Sequence, residues 1–118
     1  MRTLVPVTLY EETAIDESVE SASFRANPNQ RFTLDLQANH GAGTQNLVGK
    51  FYLRHRVDTD ADMERVDGYD FPDGPTATAF RYVESFEGAS AIEYDVEFVY
   101  TSGAGDLTIK LHVPGGIL

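Results

Sequence analysis

Strict alternation of apolar and polar residues is the feature of this sequence that most constrains its fold. Successive side chains of a β-strand point to opposite faces of a sheet, so alternation over several residues indicates a strand with one buried face. Four runs alternate in this way, namely RFTLDLQA (31–38), LVGKFYLRHRV (47–57), AIEYDVEFVY (91–100) and DLTIKLHV (106–113). Because no comparable run has the period of an amphipathic helix, the chain is predicted to be all-β.

The same alternation predicts the core. The side chains expected to face inward are Phe32, Leu34, Leu36, Leu47, Phe51, Leu53, Val57, Ile92, Tyr94, Val96, Phe98, Tyr100, Leu107, Ile109, Leu111 and Val113. Less regular apolar runs at 3–10, 19–25 and 77–86 predict three further strands. Seven or eight strands in 118 residues predict a single domain, 1–118, built as an antiparallel two-sheet β-sandwich or jelly roll with a long acidic loop at 58–76.

Two segments of the sequence echo each other. FTLDLQANHGAGT and YDVEFVYTSGAGD align without a gap on their Gly-Ala-Gly turns. Glycine supplies the positive φ angles that tight or bulged hairpin turns require, so each segment is predicted to form a hairpin. The match is compatible with a true internal repeat and with shared turn chemistry alone.

Composition and charge argue against several classes of function. A net charge of −10 and a pI near 4.5 are unfavourable for binding nucleic acid or an anionic membrane, which requires a basic patch. The chain has no cysteine, so disulfides and thiolate metal sites are impossible. The opening MRTLVPVTLYEET lacks the long apolar core of a secretory signal, and no run approaches the roughly 20 apolar residues of a membrane span. We therefore expect a soluble protein made in the cytoplasm without export.

The stretch VDTDADMERVDGYDFPDG (57–74) places seven carboxylates within sixteen positions. Asp58, Asp60 and Asp62 have the first spacings of an EF-hand loop, but Met63 stands where glycine is required and Tyr69 where glutamate is required. A calcium ion held by another arrangement remains a candidate, with ligands drawn from Asp58, Asp60, Asp62, Asp67 and Asp70. The apolar side chains of the stretch, among them Tyr69 and Phe71, are costly to leave in water. They favour a contact loop over a metal site.

Two strands carry charge on their outward faces. One has Glu93, Asp95 and Glu97, and the other has Lys50, Arg54 and Arg56. If these strands are neighbours, the two sets form cross-strand ion pairs, and if they are apart, each set is a patch that an identical subunit could complement. A catalytic carboxylate pair requires a cleft, which an outward face does not provide.

The remaining motifs give no indication of an enzyme. The histidines His40, His55 and His112 lack the close spacing of a zinc site, with His55 expected on the inward side of its strand and His112 on the outward side. No nucleophile elbow, P-loop or dinucleotide fingerprint occurs. The sequence therefore predicts a non-enzymatic protein without a cofactor.

Both ends of the chain are apolar. RTLVPVTLY is apolar on both faces and contains Pro6, which predicts an edge strand or an extended N-terminal arm over about residues 1–10. The closing VPGGIL predicts a short C-terminal tail at 114–118. Such ends either dock onto a neighbouring molecule or form an ordinary edge strand and a frayed tail.

The arm RTLVPVTLY, the run FTLDLQANHGAG and the closing YDVEFVYTSGAGDLTIKLHV resemble small β-sandwich virion structural proteins of tailed bacteriophages, which decorate capsids or build head and tail parts. This resemblance implies a homo-oligomeric subunit located in the virion, whose partners are copies of itself and other virion proteins, without nucleic acid or membrane. Aromatic residues and arginines dominate interface energetics, so the interface candidates are Tyr69, Phe71, Arg54 and Arg56.

The segment YDVEFVYTSGAGDLTIKLHV is also similar to the last strands of small β-sandwich domains appended to secreted bacterial proteases and glycosidases. That resemblance implies a carbohydrate- or calcium-binding module. Such modules normally belong to longer exported chains, whereas this sequence starts at its own methionine without a signal. The structural subunit is therefore the preferred hypothesis and the binding module is the alternative.

Overall fold

A computed structural model describes residues 4–25, 31–39, 47–66, 80–87 and 93–114. Within these ranges the chain forms strands and no helix, as the alternation predicts. The strands are β1 (Leu4–Ile15), β2 (Val19–Glu20), β3 (Arg31–Asn39), β4 (Val48–Arg56), β5 (Glu64–Arg65), β6 (Phe80–Glu87), β7 (Glu93–Ser102) and β8 (Gly105–Pro114). Every pairing between them is antiparallel.

The strands form two four-stranded sheets, a first sheet with the order β1-β8-β3-β6 and a second sheet with the order β2-β7-β4-β5. The chain can be drawn as one long hairpin in which β1 pairs with β8, β2 with β7, β3 with β6 and β4 with β5. Rolling up that hairpin brings β3 beside β8 and β4 beside β7. This arrangement is a jelly roll, so the predicted two-sheet sandwich is confirmed. We call β1–β4 the first half and β5–β8 the second half.

The inward faces of the two sheets form one core. Eight residues of the described core have no exposed surface, and all occupy inward positions of the alternating runs: Leu34, Leu36, Ala38, Leu47, Val96, Phe98, Leu107 and Ile109. The inward assignment of Val57 is wrong. Its side chain is 66% exposed because β4 ends at Arg56 and the chain then turns away from the sheet. Ile92, also assigned inward, lies outside the described residues.

The apolar N-terminal run forms an edge strand over the described residues from 4 onward. β1 pairs with β8 along its length, with irregular register between Thr8 and Tyr10 and between Glu12 and Ile15. Proline is tolerated at the edge of a sheet, where its missing N–H need not interrupt a ladder, and Pro6 occupies such a position. Of the two structures predicted for this run, an edge strand or an extended arm, the edge strand is the observed one. Residues 1–3 and 115–118 lie outside the described ranges.

The strands on either side of each Gly-Ala-Gly segment do not pair with each other, which corrects the sequence prediction of two hairpins. Gly103 and Ala104 alone separate β7 from β8, yet these two strands lie in different sheets, as do β3 and β4. Gly103 has a φ of 80°, and the turn that it makes carries the chain from one sheet to the other. Alternation identifies the buried face of a strand but not its partner, so two successive strands facing one core looked like a hairpin.

Gly49 of β4 has no room for a side chain beside β7. A Cβ atom placed there would collide with the Phe98 ring and lie 2.5 Å from the carbonyl oxygen of Val99. We expect Gly49→Ala to lower the free energy of unfolding by about 1–3 kcal/mol, because either the ring or the backbone of β7 must shift. Urea denaturation measures the change. Ser102→Ala, at an exposed position of β7, is the control and should change stability by less than about 0.5 kcal/mol. A stability of Gly49→Ala equal to that of the control would contradict this packing.

Candidate functional site

The outward face of the second sheet gathers most of the charged residues that the sequence singled out. Because β4 lies beside β7, Arg54 is opposite Asp95 and Arg56 is opposite Glu93. The structure therefore decides between the two alternatives in favour of cross-strand ion pairs. We call this surface the charged face; its residues are Glu20, Lys50, Tyr52, Arg54, Arg56, Arg65, Glu93, Asp95 and Glu97.

Arg54 lies at the centre of the charged face. Its Nε and Nη2 donate to the two carboxylate oxygens of Asp95 at 2.8 and 2.6 Å, a bidentate geometry that suits the planar guanidinium. Nη2 also lies 3.2 Å from a carboxylate oxygen of Glu20, and Nη1 lies 3.6 Å from Glu97. The hydrogen bonds to Asp95 raise the pKa of Arg54 above its usual range; burial acts against this shift and the other carboxylates add to it. Arg54 thus lies within 4 Å of three carboxylates.

Two further arginines extend this arrangement. Arg56 donates from Nε and Nη2 to Oε2 of Glu93 at 3.0 and 2.7 Å, and from Nη1 to the carbonyl oxygens of Thr59 and Ala61 at 3.0 and 3.4 Å. Arg56 therefore ties the turn that follows β4 to β7. Arg65 donates to Glu97 at 3.3 Å, and its guanidinium carbon lies 3.8 Å from the centre of the Tyr52 ring, a cation–π contact.

The four interface candidates differ in what the structure says of them. Arg54 and Arg56 are bonded within the chain, and only 12% and 26% of their side chains are exposed. Tyr69 and Phe71 lie outside the described residues. The parts of the charged face that a second molecule can reach most easily are at its rim, where Glu20 and Arg65 are 63% and 55% exposed.

The acidic stretch begins with a turn. Asp58, Asp60 and Asp62 are exposed, and Asp58 organises the turn by accepting the N–H of Asp60 on its side chain and that of Ala61 on its carbonyl oxygen, both at 3.0 Å. Residues 64–65 then pair with β4 as β5, so part of the predicted loop is a short hairpin. Asp67 and Asp70 lie outside the described ranges. Among the residues that are described, no three histidine or carboxylate side chains come together as a metal-binding group.

The sequence prediction missed the role of Asp35 on the first sheet. Alternation places it on the outward face, yet it is only 4% exposed. It accepts hydrogen bonds from Arg81 at 3.1 and 3.2 Å and from Gln37 at 3.2 Å, and Nε2 of His112 lies 3.8 Å away. In the sequence Asp35 was only one acid among outward polar residues, because alternation does not reveal that β6 and β8 flank β3.

A cavity of about 380 Å³ opens between the two sheets at one end of the sandwich. Its walls are mainly apolar, and His55 faces inward there as predicted, with its ring centre 6.1 Å from that of Tyr94. The lining residues are Phe32, Leu53, His55, Val66, Ser85, Phe86, Glu87 and Tyr94. His112 faces outward as predicted, and His40 lies outside the described residues. The volume is at the lower end of the range for small-molecule sites, about 300–1,000 Å³.

Comparison with known proteins gives no match, whether with family models, with curated proteins or with solved structures. In the portion of the chain that the structure describes, there is no helix of the length and apolarity needed to cross a membrane.

The buried ion pair at the centre of the charged face gives a stability prediction. Arg54→Ala removes the arginine that pairs with Asp95, of whose side chain only 6% is exposed, and leaves that carboxylate near Glu20 and Glu97. We expect the free energy of unfolding to fall by roughly 3 kcal/mol, since removing one partner strands a buried charge. Chemical denaturation at neutral pH measures the loss.

Arg31→Ala is the matched control for this experiment. It removes a cross-strand arginine whose ion pair with Glu87 is 3.7 Å long and exposed on both sides, so it should cost less than about 1 kcal/mol. Equal losses of stability in the two variants would show that the central ion pair stabilises the protein no more than an exposed ion pair does.

Proposed function

We propose that this protein is a non-enzymatic structural subunit of a phage particle, as a capsid decoration protein or another head or tail component, and that it acts through protein–protein contacts with copies of itself and with other virion proteins. The observation that carries this proposal is the jelly-roll order β1-β8-β3-β6 and β2-β7-β4-β5, an architecture that viral capsid domains use. Because one fold serves many functions, the surfaces must support the proposal as well.

The two outward faces support it through their cross-strand ion pairs and their charge balance. The charged face sets four carboxylates against four cations, namely Glu20, Glu93, Asp95 and Glu97 against Lys50, Arg54, Arg56 and Arg65. On the first sheet Arg81 neutralises Asp35. Charges held in fixed positions give a neighbour a defined register and orientation, which a repeating assembly requires.

The excess negative charge is concentrated in connections at the ends of the sandwich. Asp16 and Glu17 lie between β1 and β2, and Asp58, Asp60 and Asp62 lie between β4 and β5, all of them exposed. Like charge at these ends opposes random aggregation of free subunits. Ordered association would then occur through the two outward faces and through contacts with a surface of complementary charge.

A calcium- or carbohydrate-binding module is the second candidate. Lectin domains also use the jelly roll, and the turn at residues 58–62 exposes three carboxylates on one short segment. In this role the turn would acquire its calcium-binding geometry only when the ion is present. The two proposals differ in what they predict for the purified protein.

Size-exclusion chromatography with light scattering, with and without calcium, separates the two roles. A structural subunit should appear as an oligomer or bind to particles, with the same mass in calcium and in chelator. A binding module should remain monomeric, and its melting temperature should rise with calcium and fall with chelator because the ion binds only the folded state. A monomer stabilised by calcium would overturn the structural proposal.

The triple variant Asp58→Asn, Asp60→Asn and Asp62→Asn tests whether the turn is responsible for any response to calcium. The structural proposal predicts that wild type and variant melt at the same temperature in calcium and in chelator. If wild type gains several degrees in calcium and the variant does not, the turn is a calcium site and the second role is favoured.

A further inference from the structure

Among the described residues, strand pairing occurs only between the two halves of the chain; one backbone hydrogen bond outside the ladders, from the N–H of Ala22 to the carbonyl oxygen of Leu9, lies within the first half. Every strand ladder among the described residues joins a strand of the first half to a strand of the second half. β1 pairs with β8, β2 with β7, β3 with β6 and β8, and β4 with β5 and β7. A half on its own would leave whole rows of backbone N–H and C=O groups without partners. Each half is therefore a binding surface shaped for the other.

Many side-chain contacts also join the halves, although some, such as those of Phe24 with Phe32 and of Arg65 with Glu97, lie within one half. The Phe32 and Phe86 rings stack at 5.4 Å between the halves, and the Phe51 and Phe98 rings meet at 5.1 Å. The hydrogen-bonded pair of Arg54 and Asp95 also joins the two halves. Apart from the chain connection, only noncovalent contacts hold one half to the other. A second copy of the chain presents the same groups and can make the same contacts.

The connection between the halves is residues 57–63, which we call the hinge. It is exposed except for Met63, which is half-buried, and its turn is held by local hydrogen bonds to Asp58 and by the bonds from Arg56 to Thr59 and Ala61. The turn crowds three aspartates into this short segment, and charged segments of one sign favour extended conformations. Fully extended, seven residues span about 23 Å, which is enough to separate two lobes.

We infer that two copies of this chain exchange halves, so that the first half of each copy pairs with the second half of the other in a domain-swapped dimer. Each lobe of the dimer keeps the ladders, the core and the charged face of the monomer, and only the hinge turn opens. Exchange of identical elements is a low-cost route to a dimer because it requires no new interface. The inference goes beyond the proposed function and stands on the strand pairing alone, whatever particle the protein serves.

Complementary charge variants of the full-length chain test the exchange. Arg54→Asp lies in the first half and Asp95→Arg in the second, and each variant alone sets like charges against each other at the centre of the charged face. In a swapped heterodimer of the two variants, each lobe pairs opposite charges at these positions. We expect the two variants, unfolded together and refolded at high concentration, to give a folded species of twice the monomer mass with one copy of each chain. Either variant refolded alone should yield at most a tenth as much folded protein.

The double variant Arg54→Asp with Asp95→Arg in one chain is the control, since it shows whether the reversed pair is accepted. If it folds as a monomer while the mixture of single variants yields no heterodimer, exchange does not occur and the inference is overturned. If the double variant does not fold, a chain with a shortened hinge decides.

Deleting Asp58–Met63 leaves Arg56 and Val57 between His55 and Glu64, which face each other across β4 and β5. A two-residue hairpin turn needs positive φ at its first position and, in the type I′ form, at its second position as well. Arginine disfavours the first requirement and the β-branched Val57 strongly disfavours the second, so closure within one chain is strained. We expect this variant to run as a dimer at every concentration. Adding Arg56→Asn and Val57→Gly to the deletion restores turn-forming residues and should return a monomer. A folded monomer from the deletion alone, or a product that only aggregates, would overturn the inference.

Mass measurements also separate this inference from the proposed function. If wild-type oligomers exchange subunits without unfolding, the subunits associate through surface contacts, as the proposed function expects. If the two charge variants then fail to form a heterodimer, the exchange of halves is rejected while the proposed function stands. If half exchange is the route, the ratio of dimer to monomer should rise about tenfold for a tenfold increase in concentration during refolding, while the dimer is the minor species.

Discussion

Antiparallel pairing between the first and second halves of the chain is the interaction on which the rest of the structure depends. The core residues Leu34 and Val96 are buried only when both sheets exist, and each sheet takes two strands from each half. The contacts that stabilise the protein therefore join residues far apart in the sequence. Closing such long loops costs entropy before any contact forms, so folding is expected to be slow for a chain of this size.

The same pairing explains how a protein with a net charge of −10 carries two nearly neutral faces. Where β4 lies beside β7 and β3 beside β6, arginines meet carboxylates across the ladder, and Arg54 with Asp95 is the most buried of these pairs. Ion pairs of this kind contribute less to net stability than to the choice of register, because a shifted strand would bury a charge without its partner. Five further acids, Asp16, Glu17, Asp58, Asp60 and Asp62, lie exposed in the connections, where repulsion between charges costs little. A nearly neutral face and acidic connections are what we propose a repeating structural subunit uses.

Alternation in the sequence predicted the fold class and most of the core because burial on one face of a strand has a period of two residues. It could not predict which strands pair. The Gly-Ala-Gly segments therefore looked like hairpin turns, although they connect different sheets. Val57 continued the inward pattern past the end of β4, where no sheet remained to cover it. On the charged face, alternation predicted that Arg54 and Asp95 face outward but left open whether they form ion pairs or separate patches. Only the pairing of β4 with β7 decided in favour of ion pairs. The burial of Asp35 depends on Arg81 and His112 from both flanking strands, which no local pattern encodes.

Native-state hydrogen exchange of the full-length protein tests most directly whether the two halves are stable only together. If they are, the slowest amides of the central strands β3 and β8 in the first sheet and β4 and β7 in the second should share one free energy of opening, equal to that of global unfolding, and should respond alike to low concentrations of denaturant. Protection that survives in β3 and β4 after β7 and β8 have opened, or the reverse, would show that one half holds structure by itself and would contradict this account.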